Sequence, residues 1–309
     1  MRIVVAHPQA DARRRWIAGL RTALPQYDVL ASDDPAAAGA DYAVGWKLAP
    51  GFFDSQTRLK ALFAAGAGVD QLLEHPGLPA QLPVVRLEDA GMARQMAAYC
   101  CHEVARIFYR YGEYEAQQRD ARWQELPVAS LADFTVGLLG FGVLGSQVAS
   151  ALRGFGFRVI GHSRTEKSAD GVQTYHGSGA MPAFLARCRV LILMAPLTAE
   201  TRGLVDARAL AQLPPGAWLI NVARGPLVVE EDLLAAIDSG RLAGATLDVF
   251  HTEPLPSGHP FWRHPRIRVT PHIAAVTLVE ESAAQVADKL RRLERGEAIG
   301  GVIDRHRGY

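Results

Sequence analysis

Cysteine is scarce and badly placed for bonding. The 309 residues hold three, Cys100, Cys101 and Cys188. An odd number with two adjacent excludes a disulfide framework and lacks the spacing of a zinc site, so free buried thiols in a reducing compartment are expected. Lysine is scarcer relative to its partner cation, 4 against 29 arginines, a bias that reads as genomic composition. Charge of one sign is missing too. With 33 basic and 32 acidic residues the net charge is +1, which gives no electrostatic ground for a nucleic-acid or membrane-surface partner. The longest apolar runs, Ala61–Val69 and Val190–Leu197, fall far short of the ~20 residues that cross a bilayer. Met1 leads straight into Arg-Ile-Val-Val-Ala, without the charged and apolar regions of a secretory signal. A cytoplasmic protein without a bound metal is the expectation.

What is present is ordinary for a folded chain: 49% hydrophobic and 21% charged residues, at a length that favours about two domains. Short apolar runs alternate with amphipathic stretches. Ile3–Ala6, Tyr27–Leu30, Tyr42–Val44, Leu62–Ala64 and Val84–Arg86 read as buried strands, with Arg13–Ala23 a helix between the first two. A second series follows at Thr135–Leu139, Arg158–Ile160, Val190–Met194, Trp218–Asn221, Gly244–Val249 and Ile267–Thr270. Strands separated by helical segments predict parallel sheets covered on both faces. Between the two series, Arg94–Trp123 predicts one long helix, with no proline and Val104, Ile107, Phe108 and Tyr111 on a single stripe. Val279–Arg295 predicts a terminal helix that returns to the N-terminal domain.

The motif with the clearest physics is Gly140-Phe-Gly142-Val143-Leu144-Gly145, set between a strand and a helix. Gly140 permits the tight turn, Gly142 lets backbone approach a pyrophosphate, and Gly145 lets helix and strand pack closely. The helix N-terminus then offers unpaired N–H groups to phosphate. The following strand should end in an acid if a ribose 2′-hydroxyl were bound. It ends instead in Ser163-Arg164, with Lys167 beyond, a set that suits the 2′-phosphate of NADP(H). A solvated surface arginine is the plain alternative.

Three later strand ends carry ionisable groups: Arg224 after Leu219-Ile-Asn-Val-Ala, Asp248 and Glu253 after the next strand, and His272 after Thr270-Pro271. Each alone has a bland reading as a surface charge, a turn acid or a structural histidine. Together, at the carboxyl ends of strands of one α/β sheet, they form a catalytic candidate.

Here the chain resembles the D-isomer-specific 2-hydroxyacid dehydrogenases, nearly from end to end. Asn221-x-x-Arg224-Gly225, Gly240-x-x-x-Gly244-Ala245-x-Leu247-Asp248-Val249-Phe250-x-x-Glu253-Pro254 and Thr270-Pro271-His272 follow that family's order and spacing. Ala195-Pro-Leu-Thr198-x-x-Thr201 and Gly66-Ala67-Gly68-Val69-Asp70 match two further segments. Within the family it is most similar to bacterial reductases of glyoxylate and hydroxypyruvate, on Ala40-Asp-Tyr-Ala-x-x-Trp46, Arg86-Leu-Glu-Asp-x-Gly91-Met92, Ser163-Arg164-Thr165 and the ending Asp304-Arg-x-Arg307-Gly-Tyr309.

The resemblance implies two doubly wound parallel-sheet α/β domains, a Rossmann NADP-binding domain at 98–277 inserted in a flavodoxin-like substrate domain at 1–97, with 278–309 returning to the latter. It implies NADPH-dependent reduction of glyoxylate to glycolate and hydroxypyruvate to D-glycerate by a homodimer. The alternatives are another short 2-keto acid, such as phenylpyruvate or pyruvate, or a dinucleotide-sensing protein. Arg224 would bind the substrate carboxylate, His272 would be the general acid, and Glu253 would hold its imidazole. Asp248 would orient the nicotinamide carboxamide, and Pro196, Thr201, Val222 and Ala223 would lie along the cofactor. The N–H groups of Ala67 and Gly68 would hold the carboxylate from the other domain, and Trp46 would line the pocket. Lys47 departs from the histidine expected after Trp46.

Overall fold

The aliphatic runs become parallel strands in the computed structural model, which describes Met1 to Tyr309. The chain divides into two compact units, Met1–Gly91 with Thr277–Tyr309, and Met92–Val276.

The first unit contains β1 (Arg2–Ala6), α1 (Ala10–Ala23), β2 (Asp28–Ala31), β3 (Tyr42–Gly45), α2 (Phe52–Ser55), β4 (Ala61–Ala64), α3 (Asp70–Leu73) and β5 (Val84–Val85). Its sheet runs β2-β1-β3-β4-β5, all parallel, which is the flavodoxin-like order. The C-terminal helix α10 (Val279–Glu294) belongs to this unit and lies against α1. A Cβ on Gly19 would stand 3.1 Å from Ala283 Cβ, so the two helices touch backbone to small side chain.

The second unit contains α4 (Met92–Phe108), α5 (Tyr111–Arg119), β6 (Thr135–Leu139), α6 (Val143–Gly154), β7 (Arg158–Ser163), β8 (Gln173–His176), α7 (Met181–Leu185) and β9 (Val190–Leu193). It continues through α8 (Ala207–Gln212), β10 (Ala217–Asn221), α9 (Glu230–Asp238), β11 (Leu242–Leu247) and β12 (Ile267–Val269); α10 (Val279–Glu294) then closes the chain. The seven strands run β12-β11-β10-β9-β6-β7-β8, all parallel, with the order reversing between β6 and β9. That is the doubly wound nucleotide-binding arrangement with one strand added. Period-two alternation splits its core between the two faces. Leu191 and Leu193 of β9 join Phe184, Leu219, Leu233 and Leu247 on one side, while Val190 and Ile192 join Val104, Val136, Leu138 and Val148 on the other.

One sequence expectation fails here, and one strand carries no signal in the sequence. The long helix is interrupted: α4 ends at Phe108, Arg110 turns left-handed at φ 58°, and α5 stops at Arg119, with no regular structure from there to Ser130. Phe108 is buried edge-on against Phe134 and Phe157, ring centroids 5.1 and 5.4 Å away, which anchors the end of α4. Tyr111, assigned to the same stripe, is exposed. Arg110 meanwhile is held in a two-pronged bond to Glu113 at 2.6 Å. The strand β8 was not read at all, because Gln-Thr-Tyr-His at a half-exposed sheet edge has no apolar alternation.

Candidate active site

In a parallel sheet all strand carboxyl ends lie on one edge, so strand order becomes a spatial order. Along that edge of the second unit come the segments after β12 (Thr270–His272), β11 (Asp248–Glu253), β10 (Val222–Gly225), β9 (Pro196), β6 (Gly140–Gly142) and β7 (Ser163–Arg164). Neighbouring strands are ~4.8 Å apart, so this row is as long as an extended dinucleotide rather than a small ligand.

The glycine turn stands at the order reversal. Gly140 takes φ +110°, and a Cβ there would meet the Ala195 backbone nitrogen at 2.3 Å. At Gly145 a Cβ would lie 2.5 Å from the Gly140 carbonyl oxygen. Gly142 differs: a Cβ on it would meet nothing within 4 Å. No side chain caps α6, which begins at Val143, so the first N–H groups of a twelve-residue helix face that open ground beside Gly142. This arrangement fits a diphosphate. At the end of β7, Ser163 Oγ donates to the Thr165 carbonyl (2.7 Å), and Arg164 and Lys167 are exposed. After β9 the Thr201 hydroxyl donates to the Pro196 carbonyl (2.6 Å) and accepts from Thr198 N–H (2.8 Å), so its visible work is to close that turn.

The loop after β10 is shaped by Asn221, which is buried. Its amide donates to the Arg224 carbonyl (2.9 Å) and accepts from Ala223 N–H (3.1 Å). Val222 and Ala223 are buried and Arg224 is half-buried. Gly225 cannot be larger: a Cβ would fall 2.0 Å from the Phe250 carbonyl carbon. Bare backbone at Gly225 therefore lets the Arg224 loop lie against the segment that leads to Glu253.

His272 Nδ1 and Glu253 Oε2 are 2.8 Å apart. Nδ1–H donates to the carboxylate, which leaves Nε2 as the ring's other proton site. Burial works to raise the Glu253 carboxyl. The hydrogen bond and charge of His272, the Phe250 N–H and the Arg224 guanidinium together outweigh it, and Glu253 is held below its ordinary 4.5. His272 itself sits at φ +56°, a left-handed conformation that costs a non-glycine residue ~1–2 kcal/mol. The compensation comes from Asp248, buried to 1% exposure. Its carbonyl accepts the His272 N–H (2.9 Å). Its carboxylate accepts Ile273 N–H (2.8 Å), Ala274 N–H (2.9 Å) and the Thr270 hydroxyl (2.6 Å).

Residues 103–274 match the model of the D-isomer specific 2-hydroxyacid dehydrogenase NAD binding domain. A glyoxylate/hydroxypyruvate reductase A from Serratia proteamaculans is 47% identical over 314 residues, covering all of both chains. The chain belongs to the D-isomer specific 2-hydroxyacid dehydrogenase family. Among solved structures, the family member from Xanthobacter autotrophicus Py2 in complex with NADPH and MES superposes with a TM-score of 0.94 at 40% identity, over 99% of each chain. The NADPH-dependent glyoxylate/hydroxypyruvate reductase of Sinorhizobium meliloti, in complex with NADP and sulfate, gives 0.94 at 37% identity over 100% of this chain and 99% of its own.

In the first unit of this dehydrogenase, Trp46 follows β3 and the segment Gly66-Ala67-Gly68 follows β4, adjacent strands of that sheet. The Trp46 ring lies over Gly66, 3.1 Å from where a Cβ would be. Ala67 and Gly68 are half-buried, and Lys47 is exposed with φ 50°. Sequence reasoning missed the residues that hold the His272 loop. Thr270 was visible only as a neighbour of His272, and Tyr99 lies some 170 residues upstream, in a helix read for its apolar stripe.

Proposed function

We propose that this chain is an NADPH-dependent reductase of small 2-keto acids, converting glyoxylate to glycolate and hydroxypyruvate to D-glycerate. The observation that carries the reading is the His272–Glu253 pair at 2.8 Å, one strand from the Arg224 loop, in a chain 47% identical throughout to a glyoxylate/hydroxypyruvate reductase A. Gly140, Gly142 and the N–H groups of Val143, Leu144 and Gly145 hold the diphosphate. Ser163, Arg164 and Lys167 take the 2′-phosphate, and the strand itself ends in Ser163 and Arg164 rather than in an acid that would repel it. Pro196, Thr201, Val222 and Ala223 flank the nicotinamide end. Asp248 Oδ2, with one acceptor position beyond the bond from Ala274, orients the carboxamide.

When bound, the reduced nicotinamide supplies the hydride. The rest is the work of this chain. Arg224 grips the substrate carboxylate with a planar fork that lysine lacks and polarises the ketone, while Ala67 and Gly68 N–H groups take the same carboxylate. Protonated His272 gives the Nε2 proton to the ketone oxygen as the C–H bond forms, and ends as a neutral imidazole with Nδ1–H still on Glu253. Trp46 bounds the space for the substrate's short side chain.

We also propose a cytoplasmic homodimer. The free state of all three cysteines supports a reducing compartment, and the 97% exposure of Trp123, with Val128 and Leu131 also exposed within eight residues of it along the chain, supports cover by a second copy. No helix is long and apolar enough to cross a membrane. The test is NADPH oxidation with glyoxylate, hydroxypyruvate, pyruvate and phenylpyruvate side by side. The reading expects the first two to have the highest kcat/KM, and turnover of none of the four would overturn it.

A further inference from the structure

Helix α4 carries two polar side chains one turn apart, Tyr99 and Glu103, that face the last strands of the sheet. Glu103, 1% exposed, accepts from Thr246 Oγ1 (2.9 Å) on β11 and faces Arg268 Nε (3.2 Å) on β12, with His102 Nε2 at 3.4 Å. Tyr99 reaches the loop beyond β12, its phenolic oxygen 2.6 Å from Thr270 Oγ1. The direction of that bond follows from proton counting. Thr270 has one hydroxyl proton, and its other partner is the Asp248 carboxylate, which accepts only. Thr270 therefore donates to Asp248, and Tyr99 donates to Thr270. Removing the Tyr99 hydroxyl leaves Thr270 without its donor and weakens a chain in which each bond polarises the next.

The chain ends where the mechanism needs rigidity. The Asp248 carboxylate that receives the Thr270 proton also holds Ile273 and Ala274 N–H, the two residues after His272. His272 has a strained backbone, so its loop stays in place only while those neighbours are tied down. The charged groups around the imidazole are Glu253, which it bonds, Arg224, which acts on Glu253, and Asp248 beneath the loop.

We infer that Tyr99 is a positioning residue for His272, acting through Thr270 and the Asp248 carboxylate rather than by touching substrate. This rests on the reading of His272 as the general acid, and it separates Tyr99 from Glu103, whose contacts brace the strands without reaching the 272–274 loop.

The experiment compares Tyr99→Phe, Thr270→Val, Thr270→Ser and Glu103→Gln in the full chain, with two readouts. Steady-state kinetics with NADPH and glyoxylate should show kcat down about tenfold for Tyr99→Phe with KM for glyoxylate unchanged, because the Arg224 grip is untouched. Thr270→Val should lower kcat at least as much, Thr270→Ser should restore most of it, and adding Tyr99→Phe to Thr270→Val should cost nothing further. Amide hydrogen exchange should rise at Ile273 and Ala274 in Tyr99→Phe and not in Glu103→Gln. Unchanged kcat and unchanged exchange at those two amides in Tyr99→Phe would overturn the inference. So would faster exchange spread evenly over the unit, the mark of general loosening. Should the wild type reduce no 2-keto acid, the proposed function fails, and exchange at Ile273 and Ala274 still decides whether Tyr99 holds the loop.

Discussion

The two ends of the strand-end row in the second unit are built in opposite ways. Around Gly140–Gly145 the site is backbone: bare α-carbons, an uncapped helix and open ground beside Gly142. Around His272 it is side chain upon side chain: Glu253 holds the imidazole, Asp248 holds the loop, and Thr270 and Tyr99 hold Asp248. The contrast has a physical reason. A diphosphate needs several N–H groups and no side-chain precision, which local turn geometry provides. A proton donor must be held within a few tenths of an ångström, and a strained loop does that only with support from behind.

The comparison breaks most visibly at His272. Replacing it by Ala should lower turnover by about 10²–10⁴ while NADPH affinity stays near wild type, since only the side-chain end is cut. Steady-state assays and cofactor titration of the same preparation measure both quantities. A variant with full turnover would remove His272 from the chemistry.

Glycines sharpen it next. Gly225→Ala pushes a methyl into the Phe250 carbonyl, so it should cost about 1–3 kcal/mol in denaturant unfolding and part the Arg224 loop from Glu253. Gly142→Ala has room for its methyl and a φ of −104°. It should unfold like wild type yet bind NADPH more weakly, because the methyl enters the ground the diphosphate needs. Equal effects of the two changes on stability would erase the distinction.

At the far end of the row, Arg164→Ala should lower NADPH affinity about tenfold, with NADH affinity unmoved, as loss of one charge-assisted bond to the 2′-phosphate would give. Fluorescence titration with both nucleotides decides it.

The smallest effect concerns acid. Glu253 has a carboxyl held below 4.5 in the folded chain, so its contribution to stability is complete above that pH and is lost as pH falls through the lower folded value. Wild type should therefore lose stability below pH 4.5 more steeply than Glu253→Gln. Parallel denaturation curves for the two would contradict it.

Legibility followed locality. The glycine turn could be read because Gly140 and Gly145 answer to contacts within a few residues or one neighbouring strand. Leu191 and Leu193 against Val190 and Ile192 could be read because a buried strand needs both faces apolar. Where the pattern was polar or the cause distant, reading failed. Strand β8 offered Gln173, Thr174, Tyr175 and His176, nothing that marks an edge strand from a loop. The interruption after Phe108 uses a left-handed arginine where glycine would have announced it. Asp248 was read for its place at a strand end, and its grip on residues 273 and 274 depends on a β11–β12 pairing that the motif alone does not contain.

By itself, then, the order of residues determined the two strand series, the glycine turn, and the appearance of Arg224, Glu253 and His272 at strand ends, because these depend on backbone sterics and apolar period. Tertiary structure alone decided that Tyr99 should stand behind Thr270, that Gly225 should lie against Phe250, and that His272 should be pinned in a left-handed turn. Those are meetings of segments far apart in the chain, and only the packing of helix on sheet sets which atoms come within a hydrogen bond of one another.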